Sequence, residues 1–536
     1  MATFVLATTC GMAQPFSSAP ARPATAAAQL ANQPHPSAAE MAEQHTAHAL
    51  EAAKAMDNGA LYAFLHEMPK GGDLHNHITG AGYAESYVRF AIQGSLCVDR
   101  LTMQLSSPPC KGKVMEDGVL TAWQVEAREA EKDMALYRAM IDSWSMRDVR
   151  QSNQSGHDHF FDTFGKFGPA THGHIGDILA EVVERAANGN VQYLELMTSP
   201  DEGRALELGA QDKFKDVDWN TQLEKLYKDM QPAVVAMVEP SRANLNAWDA
   251  RKDELLRCND PNPAFRSRGC EVTVRNLYTV LRAMKPAQVF AQMILGFELA
   301  RQDKRMVGIN LVQPEDWPTP MNDFRLHMRM VNYLKELYPQ VHVSLHAGEL
   351  APGLVPPEGL RFHIRESIES GKAERIGHGV DIMYEDDPDE LLAEMARQNV
   401  MVEICLTSND GILGVRGKNH PLANYLKAGV PVALATDDEG VSRSEMTREY
   451  EKAILDQNLD YPTLKKMART SLEHSFLAGA SLWSDPHKFT TMKECTPPAA
   501  GQSERGAACH KFLAGSDKAR EEWRLEKAFA DFEAKY

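Results

Sequence analysis

No stretch of the 536-residue chain holds the ~20 consecutive apolar residues that a membrane-spanning helix needs, so no membrane span is expected. A long Lys/Arg run is also missing. Basic side chains number 57 against 74 acidic ones, a formal charge of −17, and such a field repels phosphate backbones. Nucleic acid is excluded as a partner on this balance, and a neutral small ligand is favoured over one carrying phosphate. No internal repeat is visible. What is present, 43% apolar and 24% charged residues, suits a soluble globular protein with a sizeable core. The length allows one large barrel with appendages or several domains of ~150 residues each.

Cysteine is sparse, yet six of the eight residues fall into three close pairs: Cys97 with Cys110, Cys258 with Cys270, and Cys495 with Cys509. Each pair would close a short loop within a stretch rich in Pro, Gly, Ser and charge. Disulfides in an oxidising compartment are the expectation. Cys405, inside the apolar run MVEICL, reads as a small core residue. The opening MATFVLATTCGMAQ resembles the apolar end of a secretory leader with a small-residue cleavage site near Ala13, although it lacks a positively charged start. Together with the cysteine pairs it predicts a periplasmic or secreted protein.

Residues 1–40 read as leader and flexible linker. A helical segment follows over 41–67, with Leu50, Ala53, Leu61, Phe64 and Leu65 at helical spacing. Eight β-like runs then alternate with amphipathic helices: 71–78, 191–197, 271–280, 307–312, 341–349, 375–380, 401–406 and 430–438. Helices are expected over 177–188 (Ile178, Leu179, Val182, Val183, Ala186) and 287–302 (Val289, Met293, Phe297). Alternating strands and helices imply a parallel sheet, and eight units would close an α/β TIM (β/α)8 barrel over 68–484, its active site at the carboxyl ends of the strands. The long gaps at about 79–176 and 198–270 each hold a cysteine pair and read as disulfide-stapled insertions. The remaining 485–536 is a C-terminal extension ending in a packing helix, and the N-terminal helical segment and the insertions could build a homodimer contact.

The alternation of a strand turns His75 and His77 in GGDLHNHI to one face. By themselves they fit two hydrogen-bonded core or loop histidines better than half a metal site. The position of the other candidates changes that balance. His346 and Glu349 end the fifth run, His378 the sixth, and Asp437 with Asp438 the eighth, all at one barrel mouth. Three neutral imidazoles and a carboxylate suit zinc with room for a water, whose pKa falls from 15.7 to about 7 on the metal. Glu349 could deliver a proton to a ring nitrogen, and His378 and Asp438 could hold the water and stabilise developing charge.

The segments MPKGGDLHNHITGA, YLELMTSP, VGINLVQPED, SLHAGE, RIGHG, EICLTSN, HPLANYLKAGVPVALATDD and ARTSLEHSFL, in this order over about 68–477, resemble the adenosine deaminase family of metal-dependent hydrolases. The insertions, cysteine pairs and leader are similar to its secreted, growth-factor-related branch. The resemblance implies one Zn2+ per chain on His75, His77, His346 and Asp437, with Glu349 as proton donor to the purine. It also implies that His378 and Asp438 orient the attacking water, with Asp438 facing the ring. The implied activity is hydrolysis of adenosine or deoxyadenosine to inosine or deoxyinosine and ammonia. Two positions depart from the family pattern. Thr79, followed by Gly80, stands where compact members carry an acidic ribose contact, and Gln313 stands where a glycine usually presents its N–H to the purine. HDHFFDTFGKF (157–167) resembles the family's apolar lid, with Phe160, Phe161 and Phe164 on one face, or equally a core helix. His157, His159, His172 and His174 read as loop or supporting residues. Ser408 and Asn409 either bind substrate or cap the following helix, and Glu473 and His474 read as late-barrel packing.

Thr79 supports an alternative, a deaminase of adenine or another aminopurine. A further reading from a different class is a non-catalytic extracellular purine-binding or signalling protein, which should show a broken ligand set. The cytidine-type zinc deaminases are excluded, because the chain has no Cys-x-x-Cys.

Overall fold

Each of the eight apolar runs becomes a strand in the computed structural model, which describes residues 37–149, 153–215, 217–219, 221–495 and 506–536. The expected leader, up to residue 36, lies outside the described residues. The barrel strands are β1 Gly71–His77, β2 Val191–Thr198, β3 Thr273–Leu281, β4 Met306–Val312, β5 His342–Ala347, β6 Arg375–His378, β7 Met401–Ile404 and β8 Val432–Leu434. They pair in that order, all in parallel. An isolated parallel bridge between Asn76 and Asp437 joins the last unit to the first. There the His77 N–H donates to the Asp437 carbonyl at 3.1 Å and the Asp437 N–H to the His75 carbonyl at 2.8 Å. The fold is thus a TIM barrel, and its closing seam runs through the candidate site.

Strands covered by side chains on both faces must be apolar nearly throughout, as in β7, where Met401, Val402 and Ile404 are fully buried. The helix Pro286–Gln302 starts on a proline at its first turn, a position that needs no N–H donor. It packs its fully buried stripe of Val289, Met293 and Phe297 onto the barrel. The helices Ile175–Asn188, Pro318–Leu337, His363–Glu369, Pro388–Gln398 and Tyr461–Glu473 continue the outer ring. Among the described residues, no helix is long and apolar enough to cross a membrane.

Between β1 and β2 the chain adds a four-stranded antiparallel sheet and the helix Gly156–Phe167. Between β2 and β3 it adds a 33-residue helix, Leu223–Leu255, held against Ile175–Asn188 by Arg251 on Asp177 at 2.9 Å. All three expected cysteine pairs are disulfides: Cys97–Cys110, Cys258–Cys270 and Cys495–Cys509. Cys405 is a buried free thiol. The ends of the described chain meet at Lys465, which binds Glu43 at 2.7 Å and Glu533 at 2.5 Å.

The Cys258–Cys270 bridge closes a loop with a sequence separation of 12, and removing such a link frees the unfolded chain by about 3 kcal/mol in the loop-entropy account. A Cys258→Ser/Cys270→Ser double variant is expected to unfold at clearly lower denaturant concentration with its activity at room temperature retained. Equilibrium unfolding monitored by fluorescence checks this.

Candidate metal and catalytic site

Four potential ligand atoms meet where the barrel closes. The Nε2 atom of His77 lies 3.2 Å from Nε2 of His346 and 3.2 Å from Asp437 Oδ1, and His75 Nε2 lies 3.4 Å from that same oxygen. One ligand atom from each of His75, His77, His346 and Asp437 falls within 4.8 Å of the others. The two-residue alternation of β1 brings both histidines to this rim. Asn76 turns the other way, and its amide binds Asp73 at 3.2 Å and Thr436 at 2.9 Å.

The outer nitrogens determine what the inner ones can do. His75 Nδ1 sits 2.7 Å from Glu403 Oε2. The other oxygen of Glu403 takes Arg375 Nε at 2.7 Å and the Ser344 hydroxyl at 2.9 Å, and Arg375 also reaches Glu195 at 2.6 Å. An ionised carboxylate only accepts, so His75 carries a proton on Nδ1 and Nε2 is its ligating position. His346 Nδ1 lies 2.8 Å from Asn310 Oδ1, an atom already accepting the His346 backbone N–H at 3.0 Å. That backbone donor identifies the amide oxygen, and the His346 proton is likewise on Nδ1. His75 Nε2 is buried without a hydrogen-bond partner among the described residues. Inward lone pairs beside a carboxylate fit a cation of zinc's ligand preference.

Burial drives the His346 imidazole well below its usual range, and the neighbouring His75 and His77 add to this. For His75 burial also opposes charge, but the neighbouring carboxylates of Asp437 and Glu403 outweigh it and hold the pKa up to about 10. A proton therefore competes for the place a dication would take.

Glu349 lies two residues beyond β5. Burial pushes its carboxyl up to about 8, Asp437 adds to the rise and Arg282 opposes it. Its backbone is pinned, because Glu315 accepts the Gly348 N–H at 3.1 Å and the Glu349 N–H at 2.9 Å. His378 Nε2 stands 3.7 Å from Glu349 Oε1. Burial, and then the charge of Asp437, push the Asp438 carboxyl well above its usual range. A Cβ at Gly80 would collide with the Asp438 carboxyl, and one at Gly377 would stand 2.6 Å from His75 Cε1; both positions need glycine. Three non-glycine residues here adopt left-handed backbone, Gln313 at φ +82°, His378 at +70° and Asp437 at +62°. Such strain concentrates at functional sites.

Three of the candidate ligands, His77, His346 and Asp437, line a cavity of about 770 Å3 whose wall also includes Thr79, Phe160, Phe164, Gln313, Glu349 and Asp438. Phe160 is 2% exposed, so the helix Gly156–Phe167 serves as both core face and cavity wall. His172, read from the sequence as a loop or supporting residue, lines the cavity together with Glu202, Trp248 and Trp317, and for these last three the sequence offered no signal. Ser408 and Asn409 neither line the cavity nor cap a helix. They sit within the helix Leu406–Leu413, whose N-cap is Cys405. The Ser408 hydroxyl donates to Asp437 Oδ2 at 2.6 Å, and the Asn409 amide pairs with His378 Nδ1 at 3.0 Å. His157 pairs with Asp316 at 3.0 Å, and the His474 carbonyl accepts from Arg375 at 3.0 Å. Glu403 was missed, although an acid inside the apolar run MVEICL was a visible signal.

A family model described as Adenosine deaminase matches residues 259–481. The adenosine deaminase of Clostridium perfringens is 35% identical over 135 residues, 25% of this chain and 37% of that protein. The adenine deaminase of Cupriavidus metallidurans is 29% identical over 199 residues, 36% of this chain and 51% of that protein. The chain thus matches about half or less of the length of these curated relatives. The apo structure of the N6-methyl-AMP deaminase from Arabidopsis thaliana covers 77% of this chain and 94% of its own at 20% identity, with a TM-score of 0.47. That likeness carries neither activity nor substrate across.

Proposed function

We propose that the chain, whose residues 259–481 match the adenosine deaminase family model, is a zinc-dependent aminohydrolase converting adenosine and deoxyadenosine to inosine and deoxyinosine with release of ammonia. The observation that carries this reading is the meeting of His75, His77, His346 and Asp437 within 4.8 Å, three of which, His77, His346 and Asp437, line the same cavity as Glu349 and Asp438.

Water adds to the purine carbon that bears the amino group, and ammonia leaves. Zinc, when bound on the four ligands, is a Lewis acid that makes hydroxide available at neutral pH. The remaining work falls to the chain. Glu349, kept protonated by burial, delivers a proton to the ring nitrogen beside the attacked carbon. His378 and Asp438 hold the attacking water on one face of the ring. Phe160 and Phe164 cover the purine and exclude bulk solvent, and the left-handed backbone at Gln313 takes the place of the glycine that meets the ring.

The cavity wall carries neither Lys nor Arg among the described residues. A phosphate would enter it without a cationic side-chain partner, which favours nucleosides over nucleotides. Thr79 favours adenine as the second substrate candidate, since it offers no carboxylate to a ribose and its carbonyl already accepts the Tyr87 hydroxyl. A panel of adenosine, deoxyadenosine, adenine and AMP, followed by the ultraviolet change from amino to oxo purine, tests the reading. Turnover of both nucleosides with AMP inert is expected. Turnover of adenine alone or preference for AMP would contradict the substrate, and stoichiometric zinc with no turnover of any purine would favour a binding protein.

Gly80→Ala is expected to displace Asp438 by about 1 Å and lower kcat by on the order of 10²-fold while zinc content stays at wild-type level. Steady-state kinetics with metal analysis checks both halves. We also place the protein in an oxidising compartment, periplasmic or extracellular, on its three disulfides. Thiol alkylation of the cell-derived protein with and without reductant tests this.

A further inference from the structure

Nε2 of His378, the nitrogen that faces the site, can act in two opposite ways. As a lone pair it takes a proton from water or binds a cation, and as N–H it donates a hydrogen bond. The choice is made three residues away. The Leu422 backbone N–H, which can only donate, points at His420 Nδ1 at 3.2 Å. That nitrogen is therefore a lone pair, and the proton of His420 sits on Nε2. His420 Nε2 lies 3.0 Å from the Asn409 side-chain oxygen and donates to it. This orients the amide, so the Asn409 NH2 group faces His378 Nδ1 at 3.0 Å and donates. His378 Nδ1 is thereby an acceptor. The ring's proton is on Nε2, which has no hydrogen-bond partner among the described residues and stands 3.7 Å from Glu349 Oε1.

The relay is insulated from solvent: His378 and Asn409 are 0% exposed and His420 is 2% exposed. Its direction does not depend on which way the Asn409 amide is drawn, because a main-chain N–H starts it. The contrast with the neighbouring imidazoles is direct. His75 and His346 carry their protons on Nδ1, facing Glu403 and Asn310, and so present lone pairs inward. His378, at ring-centroid distances of 4.8 Å from His75 and 5.2 Å from His346, presents a proton.

We propose that Asn409 and His420 are positioning residues that lock His378 as the Nε2–H tautomer, so that His378 serves the site as a hydrogen-bond donor to the attacking oxygen and neither ligates the metal nor accepts the water's proton. The proposal rests on the deaminase reading only for the identity of that oxygen; the tautomer itself follows from the relay.

The test has a spectroscopic and a kinetic arm. In the zinc-loaded protein labelled with 15N-histidine, the His378 ring signals, assigned by their loss in His378→Gln, are expected to show hydrogen on Nε2 and a bare Nδ1. Hydrogen on Nδ1 would overturn the proposal. In Asn409→Asp the new carboxylate accepts from both histidines, which moves the His378 proton to Nδ1 and leaves a lone pair facing the oxygen. The expected result is a fall in kcat on the order of 100-fold or more, as for wrong-tautomer variants of other histidine sites, with KM within about threefold and zinc content unchanged. A kcat within threefold of wild type would overturn the proposal. Should Asn409→Asp fail to fold, the wild-type ring spectrum decides alone. That spectrum needs no substrate, so a protein with Nε2–H at His378 but no purine turnover sinks the functional reading and leaves the relay standing.

Discussion

Glu349→Gln is expected to keep a full complement of zinc and to lose between about 10²- and 10⁴-fold in kcat, the range general acid catalysis supplies. The substitution is nearly isosteric, and the main chain at this position is held independently of the side chain by Glu315 on the Gly348 and Glu349 N–H groups. Nothing about the cavity need move. What changes is that an amide has no acidic proton to give, while burial and Asp437 keep the wild-type carboxyl protonated up to about pH 8. KM should shift little, because the amide still donates a hydrogen bond to the ring nitrogen in the ground state. Paired kinetics and metal analysis separate this outcome from a structural one: loss of zinc in Glu349→Gln would show that the residue belongs to the ligand set.

Asp437→Asn is expected to do the reverse, emptying the site of zinc and abolishing turnover to background. The variant keeps the shape of the side chain and leaves the main-chain seam with His75 and His77 intact, so the barrel should still close. It removes the negative charge that balances the dication beside three imidazoles, while its amide oxygen can still accept the Ser408 hydroxyl. His75→Ala should lose the metal too, but it also deprives the buried Glu403 of one partner. A buried charge left short of a partner costs several kcal/mol, so that variant is expected to unfold earlier than Asp437→Asn. Melting curves with and without added zinc distinguish them, since metal bound only to the folded state raises the midpoint. Asp437→Asn should lose the zinc-dependent shift, whereas an undiminished shift would remove Asp437 from the ligand set.

Much of this site was legible in the sequence because metal ligands on a barrel must lie at strand ends, and strand ends are marked by apolar runs. The period of two in GGDLHNHI placed His75 and His77 on one face, and the fifth, sixth and eighth runs delivered His346, His378 and Asp437 to the same rim. The strands proper stop earlier than those runs, at Ala347 and Leu434. Glu349, Asp437 and Asp438 therefore sit on the loops just beyond, where the chain can take the left-handed turn seen at Asp437. Residues that act through a partner were harder to read. His420 reaches Asn409, and through it His378, only because the loop around Pro421 folds back on the helix Leu406–Leu413, and no local pattern announces such a contact. Trp248 reaches the cavity from a helix of 33 residues whose periodicity says how it packs but not what lies opposite its end.

The most direct test of the account is the position of zinc in crystals of the purified protein, read as anomalous scattering at the zinc edge together with metal content in solution. One peak per chain is predicted, within about 2.0–2.2 Å of Nε2 of His75, His77 and His346 and of a carboxylate oxygen of Asp437. A peak bonded to His378, a peak elsewhere, or a protein that retains no zinc after purification without chelator would contradict it.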